Sequence, residues 1–229
     1  MERGNARAYS VNDAQRHHPN SVIRRGQLHQ EQVPLKKRAH SGFRVCQLNI
    51  GSMTERGREL AALMREKKVD LMYVQETLRI CYGGEVLDII SVYAPQVGCT
   101  EEEKGNFWRD MDGVMQELEE HERVIVGVDL NGHVGNEKEA IGQVHGGHGT
   151  GERKPEGESV VDFAISFDMA IANSFFTKRR EHLITYRSGG RCSQIDYFLY
   201  KRIKLVEVKN CKVIPDDHVA PNTDCYVRI

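Results

Sequence analysis

The chain has 229 residues, 39% of them hydrophobic and 28% charged, with a mean hydropathy of -0.53. No apolar run approaches the ~20 residues that a membrane-spanning helix needs, so a helical membrane protein is not expected. The formal net charge is -1, but it is divided unevenly: residues 1–40 hold eight basic and three acidic residues, net +5, so the rest is net -6. The opening residues have no apolar stretch of the kind a secretory leader carries, and the expectation is an intracellular protein. Six cysteines (46, 81, 99, 192, 211 and 225) form no Cys-x-x-Cys pair, so they read as reduced, mostly structural thiols.

Residues 1–41 are rich in Arg, His, Gln and Asn without sustained periodicity and read as a disordered basic arm. The cluster Lys36-Lys37-Arg38 reads as part of a solvated tail, with nuclear import or phosphate binding as the alternative. Residues 42–229 form the folded domain. Residues 43–50 alternate apolar and polar, as a strand does. Leu60, Leu63 and Met64 give residues 58–68 a helical stripe, and residues 70–76 read as a buried strand. A strand over 87–93 closes at Ala94-Pro95.

Residues 101–121 give the clearest helix, with Phe107, Trp108, Met111, Val114, Met115 and Leu118 as a core stripe and an acidic outer face. A short apolar strand at 124–129 follows. The glycine-rich segment 142–151 reads as an ordinary surface loop, in which His145 and His148 hold no metal. A helix around 159–167 leads to strands at 170–175, 184–186, 195–200 and 211–214. Strand–helix alternation followed by strands predicts α/β layers with a mixed sheet.

The informative feature is that several short apolar strands end in amides or carboxylates: Asn49, Glu76, Asp129, Asn131 and Asp196. Ligand sites in layered α/β folds gather at strand ends. Three carboxylates and two amides at one sheet edge suit a hard divalent cation and a phosphate ester. Magnesium takes one or two carboxylate oxygens plus water and phosphate oxygens, and an amide can donate to a phosphoryl oxygen without adding negative charge. His133, beside this group, reads as a loop cap.

Five ordered motifs resemble those of the endonuclease/exonuclease/phosphatase superfamily: Gln47-Leu48-Asn49, Val74-Gln75-Glu76-Thr77, Ser91-Val92-Tyr93-Ala94-Pro95-Gln96, Gly127-Val128-Asp129-Leu130-Asn131-Gly132-His133 and Ser193-Gln194-Ile195-Asp196-Tyr197. Within that superfamily, the segment from Tyr93 through Trp108 and the run from Thr185 to Arg191 look most like endonuclease domains of non-LTR retrotransposons and the craniofacial development protein 2-like proteins. The resemblance implies a two-sheet α/β sandwich. It also implies roles: Glu76 holds magnesium (or manganese), and Asn49 supports the metal and phosphate shell. Tyr93 contacts the scissile phosphate, and Asp129 orients or deprotonates water or protonates the leaving oxygen. Asn131 donates to the phosphate, and Asp196 orients a catalytic histidine.

Two departures stand out. Only eleven residues separate Glu76 from Asp88, where the family has several strands, on the order of fifty residues at ~5–6 per strand plus turns. The domain is therefore expected to lack several strands, and residues 77–87 to hold no more than a turn and a strand edge. The family's terminal histidine slot falls on Asn222-Thr223, leaving Asp217-His218 as the nearby pair and His218 as the candidate substitute. The resemblance implies a magnesium-dependent, retrotransposon-derived endonuclease that nicks DNA in the nucleus. The alternatives are a catalytically impaired, domesticated pseudo-nuclease acting as a binding or chromatin-associated protein, and a phosphatase of inositol phosphates or sphingomyelin.

Overall fold

In the computed structural model the described residues are 44–47, 65–66, 68–69, 71–73, 77–82, 85–137, 143–188, 190–214 and 224–229. The basic arm and most of the helix expected over 58–68 lie outside them. In chain order the elements are β1 (Arg44–Gln47), β2 (Leu71–Tyr73), β3 (Thr77–Tyr82), β4 (Glu85–Tyr93), α1 (Glu101–Gln116), β5 (Arg123–Asp129), α2 (Pro155–Ser166), β6 (Met169–Ile171), β7 (Tyr186–Ser188), β8 (Arg191–Ser193), β9 (Asp196–Lys201), β10 (Asn210–Ile214) and β11 (Asp224–Arg228).

Two sheets carry the fold: a five-stranded sheet in the order β3-β4-β5-β9-β6 and a four-stranded sheet in the order β10-β11-β1-β2. Both mix parallel with antiparallel pairs, β4 with β5 and β1 with β2 being parallel. The expected layered α/β arrangement is therefore present. Alternation along the strands explains the layers. On β4, β5 and β9, Ile90, Val92, Val124, Val126, Tyr197 and Leu199 share a core with Phe107, Met111 and Met115 of α1 and Val160, Val161 and Ala164 of α2. The intervening residues Ile89, Ile125, Phe198 and Tyr200 share a second core with Val45, Cys211, Val213 and Val227 of the other sheet. Strands buried on both faces read as unbroken apolar runs, which is why residues 124–128 show no alternation.

The aromatic stripe of α1 packs into the core as its spacing predicts. Trp108 bridges the helices, its ring centroid 5.0 Å from Phe107 and 5.3 Å from Phe163 of α2. α1 begins with a capping box: the Thr100 hydroxyl accepts the Glu103 N–H at 3.2 Å, and the Glu103 carboxylate accepts the Thr100 N–H at 2.8 Å. This helix ends at Gln116, short of the predicted 121, because its last turn runs into acidic residues with no basic side chain to offset the negative helix end. α2 starts earlier than predicted, with Pro155 in its first turn.

The predicted strand 170–175 is instead β6 followed by a 3₁₀ turn over Ala172–Phe175. The turn brings the Asn173 side chain onto the Phe198 N–H at 2.7 Å, a tertiary reward that local pattern does not reveal. Likewise the strand expected at 184–186 begins only at Tyr186, as half of the β7–β8 hairpin. The segment after Glu76 supplies one edge strand: β3 pairs antiparallel with β4, with only Gly83 and Gly84 between them in sequence.

Met111 is fully buried between α1 and the sheet, whereas Val97 is 61% exposed. Replacing Met111 with Ala lowers the unfolding free energy by about 2–5 kcal/mol, while Val97→Ala stays within about 0.5 kcal/mol. Urea unfolding followed by circular dichroism measures both.

Candidate active site

The pairing of β4, β5 and β9 assembles the site. Parallel register sets Tyr93 opposite Asp129, and antiparallel register sets Asp129 opposite Asp196. The three residues form one row across three strands. Each lies an even number of positions from Ile89, Ile125 or Phe198, so the row belongs to the face that meets the second sheet. The carboxyl ends of β4 and β5 and the amino end of β9 meet at this edge. Tyr93 is 38% exposed, whereas Asp129 and Asp196 are each 6% exposed.

Backbone bonds extend the ladder past the strand ends and hold the loops. The Ala94 N–H donates to the Asp129 carbonyl at 2.9 Å, and the Leu130 N–H to the Ile195 carbonyl at 2.9 Å. Asn131 adopts φ +47, a left-handed conformation that Asn tolerates better than most residues. Its N–H donates to Asp129 Oδ1 at 3.2 Å, and its Nδ2 to the Ala94 carbonyl at 2.8 Å. One amide N–H is used in this way, and an amide has two. The Tyr93 hydroxyl accepts from Gln96 Nε2 at 3.0 Å.

The loop after Asn131 is pressed against the start of α2. A Cβ on Gly157 would stand 1.8 Å from the His133 carbonyl oxygen, and the Lys154 N–H donates to that same oxygen at 3.0 Å. His133 thus holds the loop through its backbone, as the loop-cap reading expects. Burial, with help from Lys154, keeps its imidazole below the usual histidine range against the opposing pull of Glu156.

Of the residues singled out from sequence, Tyr93, Asp129, Asn131 and Asp196 are brought together; Asn49, Glu76 and His218 lie outside the described residues. Thr185 opens the run that carries the closer resemblance, but the motifs give it no role. It is fully buried, and its hydroxyl accepts the Ile195 N–H at 2.9 Å and the Asp196 N–H at 3.2 Å, fixing the backbone on which Asp196 stands. Its hydroxyl's partners lie 10 and 11 residues further along the chain, so the sequence gives no sign of this anchoring role.

The donor set is all oxygen: two carboxylates on paired positions, a phenol and an amide. Like charges on directly opposed positions are unfavourable unless a positive group or hydrogen-bond donors serve them, and oxygen donors of this kind suit magnesium or manganese. Among the described residues, no group of three or more His, Cys, Asp or Glu side chains is placed to hold a metal ion. The expected ligand Glu76 is not among those residues.

The surface-loop reading of the glycine-rich segment needs correction at His145, which is fully buried. The Gly147 N–H donates to its Nδ1 at 3.1 Å. The segment is clamped to β6 and the following turn: the Ile171 N–H donates to the Val144 carbonyl at 2.9 Å, and the His148 N–H to the Ser174 carbonyl at 3.0 Å. A Cβ on Gly146 would come within 2.4 Å of the Ser174 oxygen. These glycines serve close approach, which composition does not distinguish from flexibility.

The fold defines an endonuclease-type α/β sandwich. The endonuclease domain of TRAS1, a telomere-specific non-LTR retrotransposon, superposes with a TM-score of 0.62 over 82% of this chain and 98% of that one, at 13% identity. In sequence, the chain is similar to craniofacial development protein 2 of Tragulus javanicus, 27% identical over 131 residues that make up 56% of this chain. Those residues are 22% of the relative, so the match spans about a fifth of that protein's length. No protein-family model matches the chain. Both similarities are consistent with the family that the motifs resemble.

Thr185→Val leaves two buried N–H groups without their acceptor and costs about 1–3 kcal/mol of stability; Thr185→Ser, which keeps the hydroxyl, restores most of it in the same thermal melts. His145 gives a second test. Burial and the charge of Arg153 push its imidazole down to about 4 from 6.5. A lowered folded-state value means that the unfolded chain takes up the proton first as pH falls. Stability is retained above pH 6.5 and lost between 6.5 and about 4. His145→Gln flattens the urea midpoint across that window.

Proposed function

We propose that the chain is a magnesium-dependent phosphodiesterase that nicks DNA, derived from a retrotransposon endonuclease. The observation that carries this reading is the row Tyr93–Asp129–Asp196, with Asn131 bonded onto it. The fold shared with the TRAS1 endonuclease domain supports it. A basic arm over residues 1–41 ahead of a domain over 42–229 supplies cationic side chains to follow a phosphate backbone. A nuclear location goes with a DNA substrate.

In this mechanism Glu76 and Asn49 would hold the cation, which would supply positive charge to the phosphoryl oxygens. Tyr93, exposed at the end of β4, donates its hydroxyl to the scissile phosphate. Asn131 offers its second amide N–H to a phosphoryl oxygen. Asp129 orients or deprotonates the attacking water, or protonates the leaving oxygen. Asp196, fixed through Thr185, orients the imidazole that carries positive charge to the phosphate, a role we give to His218. Such donors act mainly by being positioned before charge develops.

A second reading has one observation in its favour. Asn222-Thr223 fills the slot where the resemblance implies histidine, and a chain lacking that imidazole would keep the fold as a catalytically impaired, DNA- or chromatin-binding protein.

Nicking of supercoiled plasmid distinguishes the two. The first reading expects nicking with magnesium or manganese, none with chelator, and a loss of at least a hundredfold in Asp129→Ala. A folded chain that binds DNA but nicks no faster than Asp129→Ala assigns it to the second. Removing residues 1–41 lowers the salt dependence of DNA affinity, measured by fluorescence anisotropy across a salt series.

A further inference from the structure

β9 carries Asp196 at one end, and at the other the chain turns into a 3₁₀ helix over Arg202–Glu207. Side chains three apart eclipse in such a helix, so Ile203 and Val206 form one ridge. They are 78% and 79% exposed, the most exposed large hydrophobic residues among those described. Leu205 turns the other way and packs on the intersheet core.

The charges around this ridge are sorted. Glu207, the helix's one carboxylate, is turned inward: it accepts from Arg123 Nε at 2.7 Å and from the Tyr200 hydroxyl at 3.0 Å. Lys204 and Lys209 stand next to the ridge residues, Lys204 with its Nζ 4.0 Å from Glu207 Oε1 and Lys209 donating to the Val206 carbonyl at 3.0 Å; Arg202 is held by Asp168 at 2.7 Å and Lys201 by the Phe167 carbonyl at 3.3 Å. This basic and apolar face sits on a body whose net charge is -6.

We propose that the Ile203–Val206 ridge is a docking surface for an acidic amphipathic helix of a partner protein. Two apolar side chains of that helix would cover the ridge, while its carboxylates meet Lys204 and Lys209, whose ammonium groups keep donors beyond the contacts they already make. Charge complementarity selects this occupant. The chain's own arm is net +5 and is repelled. A second copy offers acidic α1, but the apolar residues of α1, Phe107, Met111 and Met115, are buried in their own core. Nucleic acid supplies charge but nothing to cover Ile203 and Val206. Five residues of β9 separate the ridge from Asp196, about 17 Å at ~3.3 Å per residue, so docking leaves the candidate site open.

The test uses the full chain and a fluorescein-labelled helical peptide with leucines three and four apart and glutamates beside them, followed by fluorescence anisotropy. Saturable binding is expected. It weakens at least tenfold in Ile203→Ser/Val206→Ser and in Lys204→Glu, weakens with salt, and is absent when lysines replace the peptide's glutamates. Because the substituted residues lie at the surface, circular dichroism should show unchanged folding. The proposal is overturned if the ridge variants bind the peptide as the parent does, or if the lysine peptide binds equally. It is also overturned if duplex DNA is the ligand whose affinity the ridge variants lower, or if sedimentation shows self-association that they abolish.

Discussion

The packing of β5 between β4 and β9, buried on both faces, is the constraint on which the rest depends. Ile125 and Val126 point to opposite cores, so a register slip of one residue would exchange two complete sets of contacts. Such a strand has one permitted register. The same pairing that satisfies both cores therefore fixes which residues meet at the strand ends, and Tyr93, Asp129 and Asp196 become neighbours as a consequence of core packing. Precision at the polar edge is inherited from apolar burial, at roughly 1.5–3 kcal/mol for each fully buried aliphatic side chain.

Away from the cores, backbone groups without strand partners are satisfied by single buried side chains. Thr185 receives two N–H groups, Asn173 one, and the Asp129 carboxylate the N–H of Asn131. Each lies where a strand gives way to a loop, and an unpaired buried amide is costly there. At the opposite end of β5 and β9, Arg123 and Tyr200 converge on Glu207, and the Arg123 hydrogen bond holds that carboxyl below the usual carboxylate range. Both ends of the sheet bury charge, but only the Tyr93–Asp129–Asp196 end sets like charges side by side.

What was legible in sequence follows the range of each interaction. Long periodic segments read well: the stripe of α1 and the run 124–129 match their places in the core. The paired strand ends were legible because Asp and Asn at the close of apolar runs are chemically out of keeping with simple turns. Less legible were features decided by tertiary reward. Asn173 draws its segment into a 3₁₀ turn, and Gly146 admits Ser174, so that a segment read as an ordinary surface loop is tightly clamped around a buried His145. β11 joins β10 to β1 through five residues whose alternation is too brief to stand out.

Charge distribution sets the terms for the proposed chemistry. A body of net -6 with two carboxylates at its polar edge repels a phosphodiester, more so where burial lowers the local dielectric. In the proposed function a cation held by Glu76 and Asn49 would offset that repulsion, and cation and substrate would then favour each other's binding by linkage. In the same proposal the basic arm would act at longer range, screened by salt over about 8–10 Å, and would govern encounter, whereas the paired aspartates would act once the phosphate has arrived. Encounter and chemistry are thus assigned to different parts of the chain, and a substitution in one should leave the other's salt and metal dependence in place.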